Sequence, residues 1–197
     1  MGLIEEINGF VTGITYDESL SSLLKNVMDT KIEDPSPTNY YYITHVTNPA
    51  QTYFTRLHPD IERPPEIIRK LARGKQLHNF AGIWFKNLPG FYVDEGLLDG
   101  AWVDIPGVRG KIDHRVGDSL IEFKTKDNLP NTPEEIISAH PNDLEQIAFY
   151  SVIHPSSPKN NYLVFMQNSS PYELKAFKIE IKDKGTIKSI LRKRIKL

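Results

Sequence analysis

Gly110-Lys111-Ile112-Asp113-His114-Arg115-Val116-Gly117-Asp118-Ser119-Leu120-Ile121-Glu122-Phe123-Lys124 is the stretch that decides how this chain is read. Two runs rich in β-branched and apolar residues flank Gly117-Asp118. Glycine takes φ > 0 without cost and aspartate tolerates it, so the pair predicts a two-residue hairpin turn. Counting outward from the turn, Val116 faces Ser119, Arg115 faces Leu120, His114 faces Ile121 and Asp113 faces Glu122. Side chains alternate along a strand, so Lys124 shares a face with Glu122. Ile112, Ile121 and Phe123 supply an apolar opposite face to pack inward.

Opposed carboxylates on a β-ladder have Cβ atoms about 5 Å apart and destabilise one another. At an effective dielectric near 20, unit charges roughly 5 Å apart repel by about 3 kcal/mol. A divalent cation relieves that repulsion, and one or two carboxylates are how Mg²⁺ is commonly held. The bland alternative is a solvated edge hairpin with scattered charge; the apolar face argues against it.

The 197 residues suffice for one domain with a substantial core, and 39% hydrophobic with 25% charged residues is a globular composition. There is no cysteine, which excludes disulfides, cysteine zinc sites and thiolate-held iron–sulfur clusters. A net charge of −1 advertises no global field for nucleic acid, so any such role falls to local patches. The first residues carry neither a secretory nor a myristoylation pattern, and no apolar run is long enough to cross a membrane. The expectation is therefore an intracellular, cytoplasmic protein with no membrane partner. Asn168-Ser169-Ser170 matches a glycosylation pattern, read as a chance match in such a setting.

A helical stripe of Leu20, Leu23, Leu24 and Val27 spans Asp17 to Thr30, and Glu33-Asp34-Pro35-Ser36-Pro37 reads as a linker. This divides the chain into an N-terminal helical segment, 1–38, and a main body, 39–197, ending in a basic tail. Tyr40 to Val46 is aromatic and β-branched, and Pro49 starts a short helix. Pro64-Pro65-Glu66 opens a helix running to about Lys86. On it Gly74 and His78 share a face with Leu71 and Ala81; a glycine mid-helix costs about 1 kcal/mol and hints at close approach by another element. Alone, His78 reads as a core histidine, and Lys70, Arg73 and Lys75 as a solvated face. Phe91 to Arg109 predicts strands that, with the hairpin, form a meander in one sheet. Thr132-Pro133-Glu134-Glu135 predicts a helix start with a capping box, and Asn142-Asp143-Leu144-Glu145 predicts a second, running through Ile153. Gln146 and Tyr150 share one face of that second helix; alone they mark an ordinary amphipathic edge. Strands follow at Asn161–Gln167 and Tyr172–Ile181. The tail, with Lys182, Lys184, Lys188, Arg192, Lys193, Arg194 and Lys196, predicts a short basic amphipathic helix, a solvated face or a phosphate holder.

The ordered set Gly74-x-x-x-His78, Gly110-x-x-Asp113, Glu122-x-Lys124, Gln146-x-x-x-Tyr150 resembles the RecB-type branch of the PD-(D/E)XK nucleases, most of all the CRISPR-associated RecB-like exonucleases and their viral relatives. The likeness covers roughly residues 40 to 165. It implies a mixed α/β (α+β) fold, with a restriction-endonuclease-like core whose central mixed β-sheet is flanked by helices. It implies Asp113, Glu122, the Phe123 carbonyl and His78 as ligands of one or two Mg²⁺ or Mn²⁺ ions. Lys124 would orient or deprotonate the attacking water and stabilise charge on phosphorus, while Gln146 and Tyr150 brace the site and touch the nucleic-acid backbone. Arg73 and Lys126 would add nucleic-acid contacts, and Glu95 a secondary acid. Asn48 stands near the place where cluster-bearing relatives have a cysteine, so the resemblance is to a cluster-free member.

The implied activity is metal-dependent hydrolysis of DNA, favouring single strands or ends, by exonuclease or endonuclease action. DNA and helicase, recombination or CRISPR-type proteins are the implied partners, with a homo-oligomer left open. Tyr40, Tyr41, Tyr42, Tyr53 and Phe54 could stack bases, although core packing is the commoner use of such rings. Two other readings compete. One is a catalytically silent nucleic-acid-binding or recruitment module, against which the intact motif acids and lysine argue. The other is an unrelated mixed α/β enzyme. For that one the chain has no Gly-x-Ser-x-Gly, no phosphate-binding glycine loop and no His-Glu-x-x-His.

Overall fold

The computed structural model describes residues 11–26, 41–48, 50, 65–89, 91–92, 97–99 and 108–195. Before the hairpin come strand β1 (Val11–Tyr16), helix α1 (Glu18–Asn26), the two-residue strand β2 (Tyr41–Tyr42), the one-turn α2 (Ile43–Thr47) and the long α3 (Pro65–Phe85). Short strands β3 (Phe91–Tyr92), β4 (Leu97–Asp99), β5 (Val108–Lys111) and β6 (His114–Val116) lead to β7 (Ser119–Lys126). Helices α4 (Pro133–Ala139) and α5 (Pro141–Ile153) carry the chain to β8 (Asn160–Gln167), β9 (Leu174–Ile181) and α6 (Lys184–Ile195).

The result is the mixed α/β architecture expected, a central mixed sheet flanked by helices. Its strand order is β1-β9-β8-β7-β6-β3. Strands β7 and β8 are parallel, joined by the α4–α5 crossover, and the other neighbours are antiparallel. In β7 the consecutive residues Leu120, Ile121, Glu122 and Phe123 are all buried, because a central strand is covered on both faces. One face packs Leu120, Leu163, Phe165 and Phe177 against α5 and α6; the other packs Ile121, Phe123 and Val164 against Leu77, Ala81 and Phe85 of α3.

Three of the four counted hairpin pairs form, His114–Ile121, Arg115–Leu120 and Val116–Ser119, while the fourth, Asp113–Glu122, is not part of the ladder. Gly117 has φ +55°. The forward half of the capping box at α4 is present, with Thr132 Oγ1 accepting the Glu135 N–H at 3.3 Å, while Glu135 Oε2 reaches one residue past the cap to accept the Asn131 N–H at 2.6 Å.

Three expectations need correction. The strands before the hairpin do not make one meander: β4 and β5 join β2 in a separate three-stranded sheet, whereas β3 joins the central one. The chain changes sheets between Lys111 and His114, so Asp113 sits at the corner. Helix α5 begins at Pro141 with His140 as its N-cap, not at an Asn142 box, because Glu145 is engaged elsewhere. The N-terminal segment is not helical throughout. α1 is part of the helix expected there, but β1 before it pairs with β9 and forms an edge of the central sheet. The linker at 33–37, the short helix after Pro49, Tyr40, Tyr53, Phe54 and Glu95 lie outside the described residues.

Glu145 pairs with Arg194 Nη1 of α6, both side chains being almost fully buried. Arg194 also lies 5.5 Å from the centre of the Phe149 ring. This pair fastens α6 to α5. Removing one partner of a buried pair strands the other charge, so Arg194→Ala is expected to cost about 3–5 kcal/mol in urea unfolding. A double replacement of both by apolar residues of similar volume should cost far less.

Candidate functional site

The corner at Asp113 brings four elements together. Asp113 leaves the ladder one step beyond the His114–Ile121 pair, so it does not face Glu122 as a ladder partner. Its Oδ2 instead accepts the Phe123 N–H at 2.9 Å. In an extended strand the N–H and C=O of one residue point to the same edge, so the Phe123 carbonyl is directed past the end of β6 as well. His78 comes from α3, its Nδ1 3.6 Å from Asp113 Oδ1 and its ring edge-on to Phe123 at 5.0 Å. Gly74, one turn earlier, would place a Cβ 3.4 Å from Thr125 Oγ1, an ordinary contact that seats α3 on β7.

On the α5 side of β7 a chain of bonds runs through the site. Lys124 Nζ donates to Glu122 Oε1 at 2.6 Å and to Gln146 Oε1 at 2.8 Å, and Gln146 Nε2 donates to Tyr150 Oη at 2.9 Å. Gln146 and Tyr150 are both buried, so as placed they brace the lysine and do not present a surface to a nucleic-acid backbone. Gly110 explains the first half of its motif: a Cβ there would stand 2.4 Å from Tyr150 Cε1 and 2.9 Å from Ile153 Cδ1. Only a glycine lets the tyrosine ring lie against β5.

Asp143 belongs to this network, although its sequence context suggests only a helix start. Its Oδ1 is 3.6 Å from Lys124 Nζ, and its Oδ2 is 3.0 Å from Lys126 Nζ and 3.5 Å from His140 Nδ1. Three and seven positions before Gln146 and Tyr150, it shares their helix face, and that spacing was the available signal. Lys126, expected to hold nucleic acid, is thus paired with Asp143. Arg73, the other such candidate, donates through Nη2 to the Asn168 carbonyl.

Three acids therefore surround one ammonium. Burial pushes the Glu122 carboxyl up to about 8, the Asp113 carboxylate adds to that, and Lys124 pulls the other way. Burial also opposes ionisation of Asp113 and of Asp143. His78 and then Lys124 hold Asp113 well below the usual carboxylate range, and the His140 hydrogen bond with Lys124 and Lys126 does the same for Asp143. Burial would lower the Lys124 ammonium, but the carboxylates of Glu122, Asp143 and Asp113 raise it instead. Of the three acids, Glu122 is the one whose proton affinity rises.

Among the described residues, no group of three His, Asp or Glu side chains is assembled as a finished metal shell. The donor chemistry nonetheless fits a hard divalent cation. Glu122 Oε2 is buried with no hydrogen-bond partner. The Asp113 carboxylate is close enough to raise its proton affinity, and Asp113 in turn lies beside the Phe123 amide and the His78 imidazole.

No protein-family model matches the chain, and no curated protein does. Among solved structures, the crystal structure of SSO0001 is similar to this fold with a TM-score of 0.50 at 16% identity, over 91% of this chain and 87% of that one. At that identity the likeness is one of fold. No helix among the described residues is long and apolar enough to cross a membrane.

Two outcomes test this geometry. Gly110→Ala is expected to destabilise the protein by about 1–3 kcal/mol, read by chemical unfolding, through overpacking against Tyr150. In chelator, Glu122 binds its proton more tightly folded than unfolded, so its contribution to stability falls as pH rises from about 4.5 through about 8. His114, which burial lowers from 6.5 to about 4, acts oppositely, adding stability as pH rises over that range. The two oppose one another up to about 6.5, which leaves a net fall in melting temperature from there to about pH 8. Glu122→Gln should abolish that fall.

Proposed function

We propose that this protein is a metal-dependent deoxyribonuclease of the RecB-type PD-(D/E)XK kind, with a restriction-endonuclease-like core, hydrolysing phosphodiester bonds in single-stranded DNA or at DNA ends. The observation that carries this reading is Glu122: a buried carboxyl with one oxygen bonded to a lysine, the other without a partner, and a second acid close enough to push its proton affinity up. Such an arrangement is costly unless a cation completes it.

Asp113, Glu122, the Phe123 carbonyl and His78 would hold Mg²⁺ or Mn²⁺. When bound, the ion supplies Lewis acidity and charge neutralisation at the phosphodiester. The chain's own groups do the rest. Lys124, held as an ammonium by the surrounding carboxylates, turns its remaining N–H to the attacking water and stabilises by its charge the phosphate oxygens as charge develops on them. Of the two roles implied for this lysine, orientation with charge stabilisation fits its surroundings, and deprotonation of the water does not. Gln146 fixes the ammonium by accepting one of its protons, and Tyr150 fixes Gln146. Asp113 is positioned by its bond to the Phe123 amide, so its second oxygen is turned towards His78. The same proposal places the protein inside a cell, where its substrate is, with helicase, recombination or CRISPR-type proteins as partners. No iron–sulfur cluster is part of it.

Labelled single- and double-stranded DNA incubated with Mg²⁺ or Mn²⁺ should be cleaved, and chelator should stop the cleavage. Asp113→Ala, Glu122→Ala and Lys124→Ala should each lower the rate by at least about 10²–10³-fold. Cleavage that survives Glu122→Ala removes the assigned mechanism, and DNA binding without cleavage at any metal concentration returns the chain to a silent binding module. His78→Ala should raise the metal concentration for half-maximal rate about tenfold or more while the melting transition stays cooperative.

A further inference from the structure

Lys124 has three N–H donors, of which Glu122 and Gln146 take two at 2.6 and 2.8 Å. Asp143 Oδ1 is 3.6 Å away, within ion-pair range but too long for a hydrogen bond. The far oxygen of Asp143 is anchored by Lys126 at 3.0 Å and faces His140 Nδ1 at 3.5 Å. Asp143 is thus fixed at one end and one short step from the lysine at the other. It is also mostly buried, with 15% of its side chain exposed, so its interaction with Lys124 is weakly screened. Glu122, in contrast, is asked to serve two partners, the lysine through Oε1 and a cation through the unpartnered Oε2.

We propose that Asp143 is a positioning residue for Lys124: it is the counter-ion that keeps the ammonium in place when Glu122 is committed to a divalent cation. This inference rests on the metal-dependent reading of Glu122. It divides labour on the α5 face, with Gln146 setting the direction of the ammonium and Asp143 its charge balance. A plainer use for Asp143 is as an acid in the first turn of α5, where it favours the helix dipole without regard to Lys124. The two uses differ in one measurable respect. A dipole contribution is indifferent to Glu122, whereas a counter-ion matters more once Glu122 has lost its charge.

The test is a double-mutant cycle on the full chain, with melting temperature in chelator at about pH 9 as the readout, where wild-type Glu122 is ionised and Glu122→Gln stands for a glutamate no longer available as an anion. Asp143→Asn is expected to lower the melting temperature at least about twice as much in the Glu122→Gln background as in the wild type, with Asp143→Glu restoring most of the loss. Equal losses in both backgrounds overturn the proposal in favour of the dipole role. A second arm adds Mn²⁺. Wild type and Asp143→Asn should show the same manganese-induced rise in melting temperature, Glu122→Gln a much smaller one, and Asp143→Asn a turnover reduced about tenfold with the half-maximal manganese concentration unchanged. A manganese response that is equal in wild type and Glu122→Gln defeats the metal reading itself, and this inference with it. An intact, Glu122-dependent response with equal losses across the cycle defeats only the role given to Asp143.

Discussion

The constraint on which the site depends is charge imbalance in a confined space. Asp113, Glu122 and Asp143 converge on Lys124 under enough burial that the usual remedy of hydration is lost. Lys126 and His78 face Asp143 and Asp113, and it is Glu122, buried and beside the Asp113 carboxylate, whose proton affinity rises. A strand that needed only stability would carry an apolar residue there, since Leu120, Ile121 and Phe123 around it are fully buried. Holding an acid at that position costs folding free energy, a cost that a cation bound to the folded state would offset.

The fold positions this cluster by making the chain change sheets. β5 belongs to one sheet and β6 to the other, and Asp113 occupies the bend between them. That bend frees its carboxylate from the ladder and turns it to the Phe123 amide. The parallel pair β7–β8 and its crossover then lay α5 across the same region, so that one helix face delivers Asp143, Gln146 and Tyr150. Gly110 is the hinge of fit, because the Tyr150 ring occupies the space a side chain would need.

Local chemistry is what the sequence makes legible. Gly117-Asp118 states the hairpin and its register, Thr132 with Glu135 states the start of α4, and the spacing of Leu77, Ala81 and Phe85 states the buried face of α3. Glu122 and Lys124 follow from that register, Asp113 leaves the ladder where the count places it opposite Glu122, and the Gln–Tyr pair follows from its order along the chain. What stays hidden depends on partners far away in sequence. Glu145 has the spacing of a capping glutamate, yet it bonds Arg194, 49 positions on. Asp143 looks like a helix-start acid until β7 places two lysines beside it. Val11–Tyr16 has a weak strand pattern, and only its partner β9 gives it an edge to complete. The switch between sheets at Asp113 likewise has no local signature, because a run of short strands reads the same whether its members share one sheet or two.

The pairing of Val11 with Ile181 and of Tyr16 with Phe177 has a consequence for biogenesis. A strand synthesised early has its hydrogen-bonding partner only after nearly the whole described chain has left the ribosome. Until then the outer rim of β9 does not exist and the groups of β1 stay open to stray pairing. Closing so long a loop also makes the barrier to folding largely a matter of topology, which slows maturation relative to a helical protein of equal size. Helix α5, clamped by α6 that follows β9, settles at the end of the same sequence of events. A ribosome-bound intermediate therefore carries the acids of the site without the enclosure that α5 and α6 later provide.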